Sequence, residues 1–306
     1  MIKKRIEVIF VFLFLVFFSI LTVYPVLNII GVSLRDDNAF NTRSLSIVQF
    51  AESYEDKNKN GIWDKDEYFV DANDNGRWDS GSSLKSYITL LKDTDFLLWT
   101  RNSILVSFIV TLTGVIFAST GGYALSRFRF RGREFGMTAI LTTQMFPATM
   151  LLLPFFILLS YLGLINSYIG LIIIYSSTAL PFCIWQMKGY YDTIPPSLEE
   201  SARIDGCSRF QAFYKIILPL SSPALVITAL FSFMASWSEY VVAAIILQDP
   251  KLYTLPLGLK TFQASLSTQW GLYAAGAVVV SIPVTILFIS LSRYLVSGLT
   301  MGSVKG

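Results

Sequence analysis

Long apolar segments separated by polar ones dominate the hydrophobic pattern of this 306-residue chain. A helix that crosses a membrane needs about 20 consecutive, mostly apolar residues. Six segments meet that length, and each has too few charges for an amphipathic surface helix. They are residues 9–30, 103–125, 135–162, 168–187, 224–247 and 273–295. The pattern therefore predicts an all-α membrane protein with six transmembrane helices.

Composition supports this fold class. Apolar residues make up 53% of the chain and charged residues 15%, which is too little charge to cover a soluble globule of this size. The first segment is longer than a signal-peptide core, and Tyr24-Pro25-Val26 stand where a small-residue cleavage site would be needed. We therefore expect an uncleaved first helix. Prolines inside the apolar segments can kink their helices; these are Pro25, Pro147, Pro154, Pro181 and Pro283.

The distribution of Lys and Arg predicts the orientation. With the N-terminus inside, segments 1–5, 127–134, 188–221 and 293–306 hold 13 of the 24 basic residues against five acidic ones. Segment 35–99 carries 13 acidic and eight basic residues. Cytoplasmic loops are enriched in Lys and Arg, so both termini are expected in the cytoplasm and 35–99 outside. This asymmetry accounts for the net charge of +3 and gives no reason to expect a nucleic-acid partner.

Residue types and motifs that the sequence lacks exclude several kinds of catalytic site. The chain has no His, which excludes Ser/His and Cys/His nucleophile pairs and imidazole zinc sites. It has no G-x-x-x-x-G-K-[ST] run either, so ATP would have to be bound by another chain. Cys183 lies in an apolar segment and Cys207 in a polar one, a pattern that indicates neither a disulfide nor a metal pair. We expect no catalytic residues.

The predicted inner segment 188–221 carries signals for a short helix. Pro196 can open that helix. Glu199 and Glu200 fall in its first turn, where the helix dipole favours anions. Gly206 is a natural left-handed end.

A second short helix is predicted directly after it. Ser208 and Gln211 have the spacing of a capping box, and Pro219 is expected to end the helix. Two helices with a glycine elbow form a compact hairpin, a shape suited to docking a partner. From the local signals alone, an ordinary structured loop is the favoured interpretation.

The hairpin also carries a pattern of fixed spacing. Glu200-Ser201-Ala202 is followed after three residues by Gly206, and after nine more by Ile216-Ile217-Leu218-Pro219. It resembles the signature loop of permease subunits of binding-protein-dependent ABC importers, whose pattern is E-A-A, three residues, G, nine residues, I-x-L-P. Ser201 replaces the first alanine of that pattern, a change between small residues.

Further segments extend the resemblance over most of the chain outside residues 35–85. They are similar to carbohydrate importers, specifically to the maltose-type second permease. These segments are Leu162–Tyr168, Leu180–Phe182, Thr254–Leu259, Trp270–Gly271 and Gly298–Gly306.

The resemblance implies a non-catalytic permease subunit in a prokaryotic inner or plasma membrane. Its implied partners are a homologous permease, two cytoplasmic ATPase subunits that bind the ATP, and an external solute-binding protein. In that family the hairpin inserts into a cleft of the ATPase. By motif position Glu200 would make the polar contact there, Gly206 would form the elbow, and Ala202, Ile216 and Leu218 would pack. The implied coupling residues are Glu200, Ser201, Ala202, Asp205, Gly206, Ile216, Leu218 and Pro219.

The fifth apolar segment contains an ionisable residue, Glu239, and such a group within a membrane usually faces the bundle interior or water. Trp237 offers a ring face to a sugar, while Glu239 and the amide of Gln144 can hydrogen-bond hydroxyl groups. The candidate solute pathway is Gln144, Trp237, Glu239 and Tyr240. Alternatively, Glu239 is interfacial and the two aromatic residues belong to a membrane belt.

Residues 56–67 match the calcium-loop pattern D-x-[DN]-x-[DN]-G-x5-E at every fixed position, and residues 71–82 repeat it with Ser82 in place of Glu. Oxygen-bearing side chains at alternate positions can wrap a hard cation such as Ca²⁺. The short spacing between the repeats leaves no room for the helices of paired EF-hands. The repeats resemble instead the short calcium repeats of extracellular bacterial proteins. The alternative is a solvated acidic loop. The candidate metal residues are Asp56, Asn58, Asn60, Ile62, Asp64, Glu67, Asp71, Asn73, Asn75, Arg77 and Asp79.

These observations give three parts and three hypotheses of function. The parts are the N-terminus with the first helix (1–34), an extracytoplasmic loop (35–99), and a five-helix core that includes the hairpin (100–306).

The leading hypothesis is an ATP-driven sugar importer without a transport cofactor of its own. The alternatives are an ion-coupled secondary carrier with Glu239 as the coupling site, and a membrane scaffold that anchors the calcium-binding loop.

Overall fold

The computed structural model describes residues 2–35, 51–59, 63–71, 76, 78, 81–263 and 268–301. Over these residues the chain is α-helical, and its β-pairing is confined to isolated bridges. The all-α prediction is therefore confirmed. The α-helices are α1 (Ile2–Ser33), α2 (Lys85–Lys92), α3 (Phe96–Arg127), α4 (Arg133–Thr143), α5 (Leu152–Tyr161), α6 (Tyr168–Thr193), α7 (Ser197–Ile204), α8 (Arg209–Ala212), α9 (Leu218–Leu220), α10 (Ser222–Trp237), α11 (Val241–Ile246), α12 (Leu255–Lys260) and α13 (Trp270–Met301).

Four helical segments in the described part of the chain are long and apolar enough to cross a membrane. They are Ile9–Ser33, Phe96–Arg127, Tyr168–Thr193 and Trp270–Ser292. Arg209–Leu220 and Ser222–Trp237 together pass the same test but are bent by 78°. The spans predicted at 9–30, 103–125, 168–187 and 273–295 therefore lie within continuous helices.

The third predicted span, 135–162, is not one helix. α4 ends at Thr143, and a turn leads through Pro147 into a 3₁₀ segment, Ala148–Leu151, before α5 begins. Pro147 has an extended backbone with ψ of 132°, and proline supplies no N–H to continue a helical ladder. The apolar composition is continuous across this segment, but the helix is not.

The fifth predicted span, 224–247, is interrupted as well. α10 ends at Trp237 and α11 begins at Val241, so the chain leaves the helix at the polar residues Ser238 and Glu239. Glu239 is described below as the cap of α11. Broken helices of this kind expose backbone groups that need a polar or water-filled environment.

The chain divides into two compact units, Met1–Leu97 with Leu259–Ile282 and Leu98–Gly258 with Pro283–Gly306. In the first unit, the hydroxyl groups of Ser33 and Tyr87 lie 2.7 Å apart and link α1 to α2. The backbone N–H of Ser83 also donates to the carbonyl of Leu34 at 2.7 Å. These bonds tie the end of the first helix to the segment that follows the acidic repeats.

The second unit is held together by close contacts of α3 with α6 and α10. A Cβ atom added at Gly122 would lie 2.8 Å from the Cβ of Met187, and one at Gly114 would lie 2.4 Å from the hydroxyl of Ser232. Small residues let membrane helices approach closely in this way. A buried apolar cluster at one end of these helices includes Tyr123, Met187, Tyr191, Phe213 and Ile217.

Candidate functional site

Both short helices of the 188–221 hairpin have the predicted boundaries at their elbow. α7 begins after Pro196 and has Glu199 and Glu200 in its first turn. The Ser208 hydroxyl accepts a bond from the backbone N–H of Gln211 at 3.2 Å, and the Gln211 side chain accepts one from the N–H of Ser208 at 2.8 Å. The predicted capping box is thus confirmed.

Gly206 forms the elbow between the two helices with φ of +90°. L-residues with a side chain rarely adopt this conformation, whereas glycine does so at little cost. A Cβ atom at Gly206 would meet nothing within 4 Å. Glycine is therefore required here for backbone conformation and not for space.

The second helix ends within one residue of the predicted end at Pro219, but it is not a regular α-helix. α8 continues through a π-helical turn, Phe213–Ile217, into α9 and ends one residue after Pro219. The π turn departs from the i→i−4 hydrogen-bond pattern, so Pro219 falls in the first turn of α9. A missing N–H is tolerated at that position.

Glu199 links the hairpin to the end of α3. One carboxylate oxygen pairs with Nε of Arg127 at 2.5 Å, and the other accepts a bond from the hydroxyl of Tyr123 at 2.7 Å. Arg127 also donates to the carbonyl of Ile194 at 2.8 Å. Only 13% of each paired side chain, Glu199 and Arg127, is exposed, so this three-residue clamp is shielded from water.

Sequence reasoning did not find this clamp. In the sequence, Arg127 counted only among the basic residues that indicate orientation, and Glu199 was noted only as an acidic residue in the first turn of a helix. Tyr123 was not singled out. The three positions lie far apart in the chain, and no local spacing joins them. The one available signal was that Arg127 and Glu199 carry opposite charges and lie in two segments that are both predicted on the inner side of the membrane.

The buried face of the hairpin contains the residues expected to pack. Ala202 is buried, while Ile216 and Leu218 are half-buried and lie against the cluster of Tyr123, Phe213 and others. These contacts fix the hairpin to the helical bundle. Within this chain, all three residues therefore pack against the bundle, and their roles at an ATPase interface stay a prediction.

The opposite face of the hairpin is exposed. Glu200, Ser201 and Asp205 are all exposed. The large apolar side chains of Ile204 and Phe210 are 86% and 75% exposed. An exposed apolar patch beside charged residues is typical of a protein interaction surface.

The candidate pathway residues have different environments. Trp237 is only 1% exposed, and its ring stacks on Phe233 with centroids 5.3 Å apart. Gln144 is exposed, and its amide donates to the carbonyl of Thr178 at 3.2 Å. Tyr240 is half-buried. The buried ring of Trp237 presents little surface to a solute in this conformation.

Glu239 caps α11. Its carboxylate accepts bonds from the backbone N–H groups of Val242 at 3.0 and 3.1 Å and of Ala243 at 3.3 Å. It also accepts the hydroxyl of Tyr175 at 2.7 Å. Because Tyr175 and Thr178 lie one turn apart on α6, the structure brings Glu239 and Gln144 to neighbouring positions on that helix.

Part of the first acidic repeat lies within the described residues. The amide of Asn58 donates to a carboxylate oxygen of Asp64 at 2.6 Å. The two carboxylate oxygens of Glu67 accept the backbone N–H groups of Lys57 at 2.8 Å and of Asp64 at 3.1 Å. The Glu67 carboxylate therefore closes the two ends of the loop, and the residue is only 7% exposed.

The two repeats contact each other through their aromatic residues. The rings of Trp63 and Trp78 stack with centroids 5.5 Å apart. Tyr54 packs edge-on against Trp78, and its pKa is raised by desolvation and by the negative charges of nearby carboxylates, chiefly Asp56. The remaining metal candidates lie outside the described residues; these are Asn60, Ile62, Asn73, Asn75, Arg77 and Asp79.

Apolar spans, two interrupted helices and an exposed hairpin are compatible with a membrane transport permease. The sequence profile of one family, described as the inner membrane component of binding-protein-dependent transport systems, matches residues 110–301. The chain belongs to this family. The match includes the hairpin and every candidate pathway residue but not the acidic repeats.

Individual relatives are similar over nearly the whole chain. The galactooligosaccharides transport system permease protein GanQ of Bacillus subtilis is 33% identical over 306 residues, which cover 100% of this chain and 98% of the relative. The maltose/maltodextrin transport system permease protein MalG of Escherichia coli K12 is 33% identical over 301 residues, covering 96% and 94%.

A solved structure shares the fold as well. It is the crystal structure of a bacterial ABC transporter involved in the import of the acidic polysaccharide alginate. One of its chains matches with a TM-score of 0.74 and 25% identity, over 95% of this chain and 97% of that one. The predicted family, a permease of a binding-protein-dependent ABC importer in a prokaryotic inner membrane, is thus confirmed.

Proposed function

We propose that this permease imports a sugar or oligosaccharide that an external solute-binding protein delivers. The observation that carries this proposal is the similarity, over nearly full length, to permeases named for galactooligosaccharides and for maltose and maltodextrin. The alginate importer supports the same substrate class, because alginate is also a carbohydrate. The identity and length of the sugar depend on the shape of a pathway shared with a second permease.

The proposed assembly contains this chain, a homologous permease, two cytoplasmic ATPase subunits and the solute-binding protein. ATP binding and hydrolysis belong to the ATPase subunits, and this chain contributes no catalytic residue. The exposed apolar patch of the hairpin, with Ile204 and Phe210, is the proposed docking surface for one ATPase subunit. Glu200 lies beside it and supplies the polar contact.

The proposed topology has six spans with both termini in the cytoplasm. Four continuous spans support it, and the two interrupted segments, α4 with α5 and α10 with α11, supply the other two crossings. The excess of Lys and Arg in the segments assigned to the inside agrees with this orientation. The acidic repeats then lie outside the membrane.

The clamp provides a route by which the ATPase can move the bundle. Closure of the ATPase subunits would displace the hairpin, and Glu199 would transmit the displacement to α3 through Arg127 and Tyr123. The interruptions before Ala148 and at Glu239 allow the halves of two spans to move separately. Rocking of the bundle between two open states is a recurrent mechanism of alternating access.

The proposed function can be tested by measuring which energy source drives sugar uptake. The complex is reconstituted in vesicles with the solute-binding protein, and uptake of a labelled maltooligosaccharide and a labelled galactooligosaccharide is measured. We expect uptake that requires ATP and persists when proton and sodium gradients are collapsed. Uptake that follows an ion gradient without ATP would support the secondary carrier and contradict this proposal.

Substitutions of Glu239 discriminate between the ATP-driven importer and the ion-coupled secondary carrier. Because its carboxylate caps α11, we expect Glu239→Ala to lower the free energy of unfolding by about 1 kcal/mol. Glu239→Gln retains a side-chain oxygen that can accept a backbone N–H, and we expect uptake within about twofold of the parent. Thermal unfolding and uptake assays measure both effects. Loss of uptake in a stable Glu239→Gln protein would show that the charge itself is needed, as a coupling site requires.

We also propose that the first acidic repeat binds Ca²⁺. The ligand candidates Asp56, Asn58, Asp64 and Glu67 carry oxygen donors, which a hard cation prefers. Among the described residues no three acidic side chains are grouped closely enough to hold an ion, so binding requires these side chains to move together. The contact of Asn58 with Asp64 brings two of these side chains together. Binding would rigidify the outer loop near the side from which the solute-binding protein approaches.

Calorimetric titration of the full chain in detergent measures this binding. We expect heat at Ca²⁺ concentrations of about 0.1 to 1 mM, the range of extracellular modules, and its loss in Glu67→Gln. Asp95→Asn removes an exposed carboxylate from the same outer segment and is expected to leave the titration unchanged. Absence of heat at millimolar Ca²⁺ would identify the repeats as a solvated acidic loop.

A further inference from the structure

A groove at one end of α3 has no part in the clamp or in the docking surface. α3 is long and apolar enough to cross a membrane and ends at Arg127, and α4 begins after a five-residue turn. The turn is closed by a bond from the N–H of Arg133 to the carbonyl of Phe130, with Gly132 at φ of +90°. The turn therefore lies where the span leaves the apolar part of the bilayer.

The groove is open and measures about 470 Å³. We call it the arginine groove; its lining residues are Arg129, Phe130, Gly132, Arg133, Glu134 and Phe135. Two arginines and one glutamate give it a net positive charge. Arg129 is exposed and makes no ion pair with the described part of the chain, whereas Arg127 of the same segment pairs with Glu199.

Backbone groups add to this positive potential. The N–H of Gly136 donates to the carbonyl of Gly132 at 2.7 Å. The N–H groups of Glu134 and Phe135, in the first turn of α4, have no acceptor among the described residues. Arginine side chains and free backbone N–H groups are the donors that proteins use for phosphate.

Two exposed aromatic rings distinguish a lipid from a soluble anion. Phe130 and Phe135 are 51% and 79% exposed beside the arginines. Aromatic residues are enriched at the membrane interface, where one side of the ring meets acyl chains. A soluble phosphate would gain nothing from these rings, whereas a phospholipid would cover them.

We propose that the arginine groove binds the phosphate of an anionic phospholipid headgroup, with Phe130 and Phe135 against its acyl chains. Arg129 and Arg133 supply the charge-assisted hydrogen bonds. The assignment needs only the position of the groove at the end of a span and is independent of the transported solute.

Native mass spectrometry of the full chain, in the complex with which it purifies, tests this proposal. Phosphatidylglycerol and phosphatidylcholine with identical acyl chains are titrated separately. We expect tighter retention of phosphatidylglycerol, and a loss of roughly fivefold in its affinity for each arginine removed in Arg129→Gln and in Arg129→Gln/Arg133→Gln. Equal retention of the two lipids would overturn the proposal.

The same turn supplies a matched control. Arg131 is exposed but does not line the groove, so Arg131→Gln removes the same charge and is expected to cost less than about twofold. Arg129→Lys keeps the charge and should retain the preference for phosphatidylglycerol, which separates binding from misfolding. An equal loss in Arg131→Gln, or displacement of the lipid by millimolar inorganic phosphate, would contradict a lipid site.

Discussion

Replacement of Glu200 by arginine is expected to abolish capture of the ATPase subunit and ATP-driven uptake. Glu200 is exposed on the hairpin, so its loss removes no contact that holds the permease together. Within the proposed interface, a reversed charge would face a basic residue of the ATPase. Mispaired charges at an interface cost enough to weaken binding by at least about thirtyfold.

Co-purification with the tagged ATPase and uptake in reconstituted vesicles measure this effect. Thr193→Arg adds an arginine at another exposed position of the 188–221 segment, outside both hairpin helices, and is expected to retain capture and uptake. Glu200→Gln is expected to be intermediate, because an amide still forms hydrogen bonds. An intact complex with full uptake in Glu200→Arg would show that Glu200 is only a loop residue.

Replacement of the neighbouring Glu199 by alanine is expected to have a different effect. It leaves Arg127 with the carbonyl of Ile194 and the hydroxyl of Ser126, and it leaves the Tyr123 hydroxyl without its acceptor. Removing one partner of such a shielded pair is expected to cost about 2 kcal/mol of unfolding free energy. The docking surface remains, so we expect the ATPase to be captured while uptake falls by about tenfold, the factor that corresponds to about 1.4 kcal/mol in coupling.

A double-mutant cycle shows whether the clamp acts as a unit. Tyr123→Phe removes only the hydroxyl that donates to Glu199, and alone it should lower thermal stability and uptake modestly. In the Glu199→Ala background the same substitution should have no further effect, because interacting residues are not additive. Additive losses would mean that the two residues act independently, and loss of ATPase capture in Glu199→Ala would place Glu199 in the docking surface instead.

The caps of the hairpin were predictable because they depend on neighbours in the sequence. Ser208 and Gln211 satisfy each other's backbone groups at a spacing of three residues, and Gly206 permits a positive φ that other residues avoid. The four continuous spans were predictable for the same reason, since length and apolar composition are properties of one segment.

The interruptions of two spans could not be located from composition. Pro147 was expected to kink a helix, but a proline kink and a complete break have the same sequence signal. Glu239 was recognised as an unusual residue in a span, yet its role as the cap of α11 depends on a helix end that the apolar pattern conceals. Its bond with Tyr175 joins two segments that are distant in the chain.

The clamp and the π turn were missed for physical reasons. The partners of Glu199 lie 72 and 76 residues away, and pairing over such a distance is decided by packing. The π turn at Phe213–Ile217 lies inside the predicted second helix, and helix propensities are calibrated on regular α-helices. The acidic repeats have a specific pattern, and their proposed metal binding rests on the oxygen donors of Asp56, Asn58, Asp64 and Glu67.

In the proposed mechanism, the exposed face of the hairpin docks on the ATPase and moves when ATP binds. Cross-linking of Ile204→Cys to the ATPase tests it most directly, with Cys207→Ser introduced because Cys207 is a partly exposed free thiol. We predict a cross-link in the assembled transporter whose yield changes when ATP replaces ADP. No cross-link in an intact complex that transports sugar would contradict both the docking surface and coupling through the hairpin.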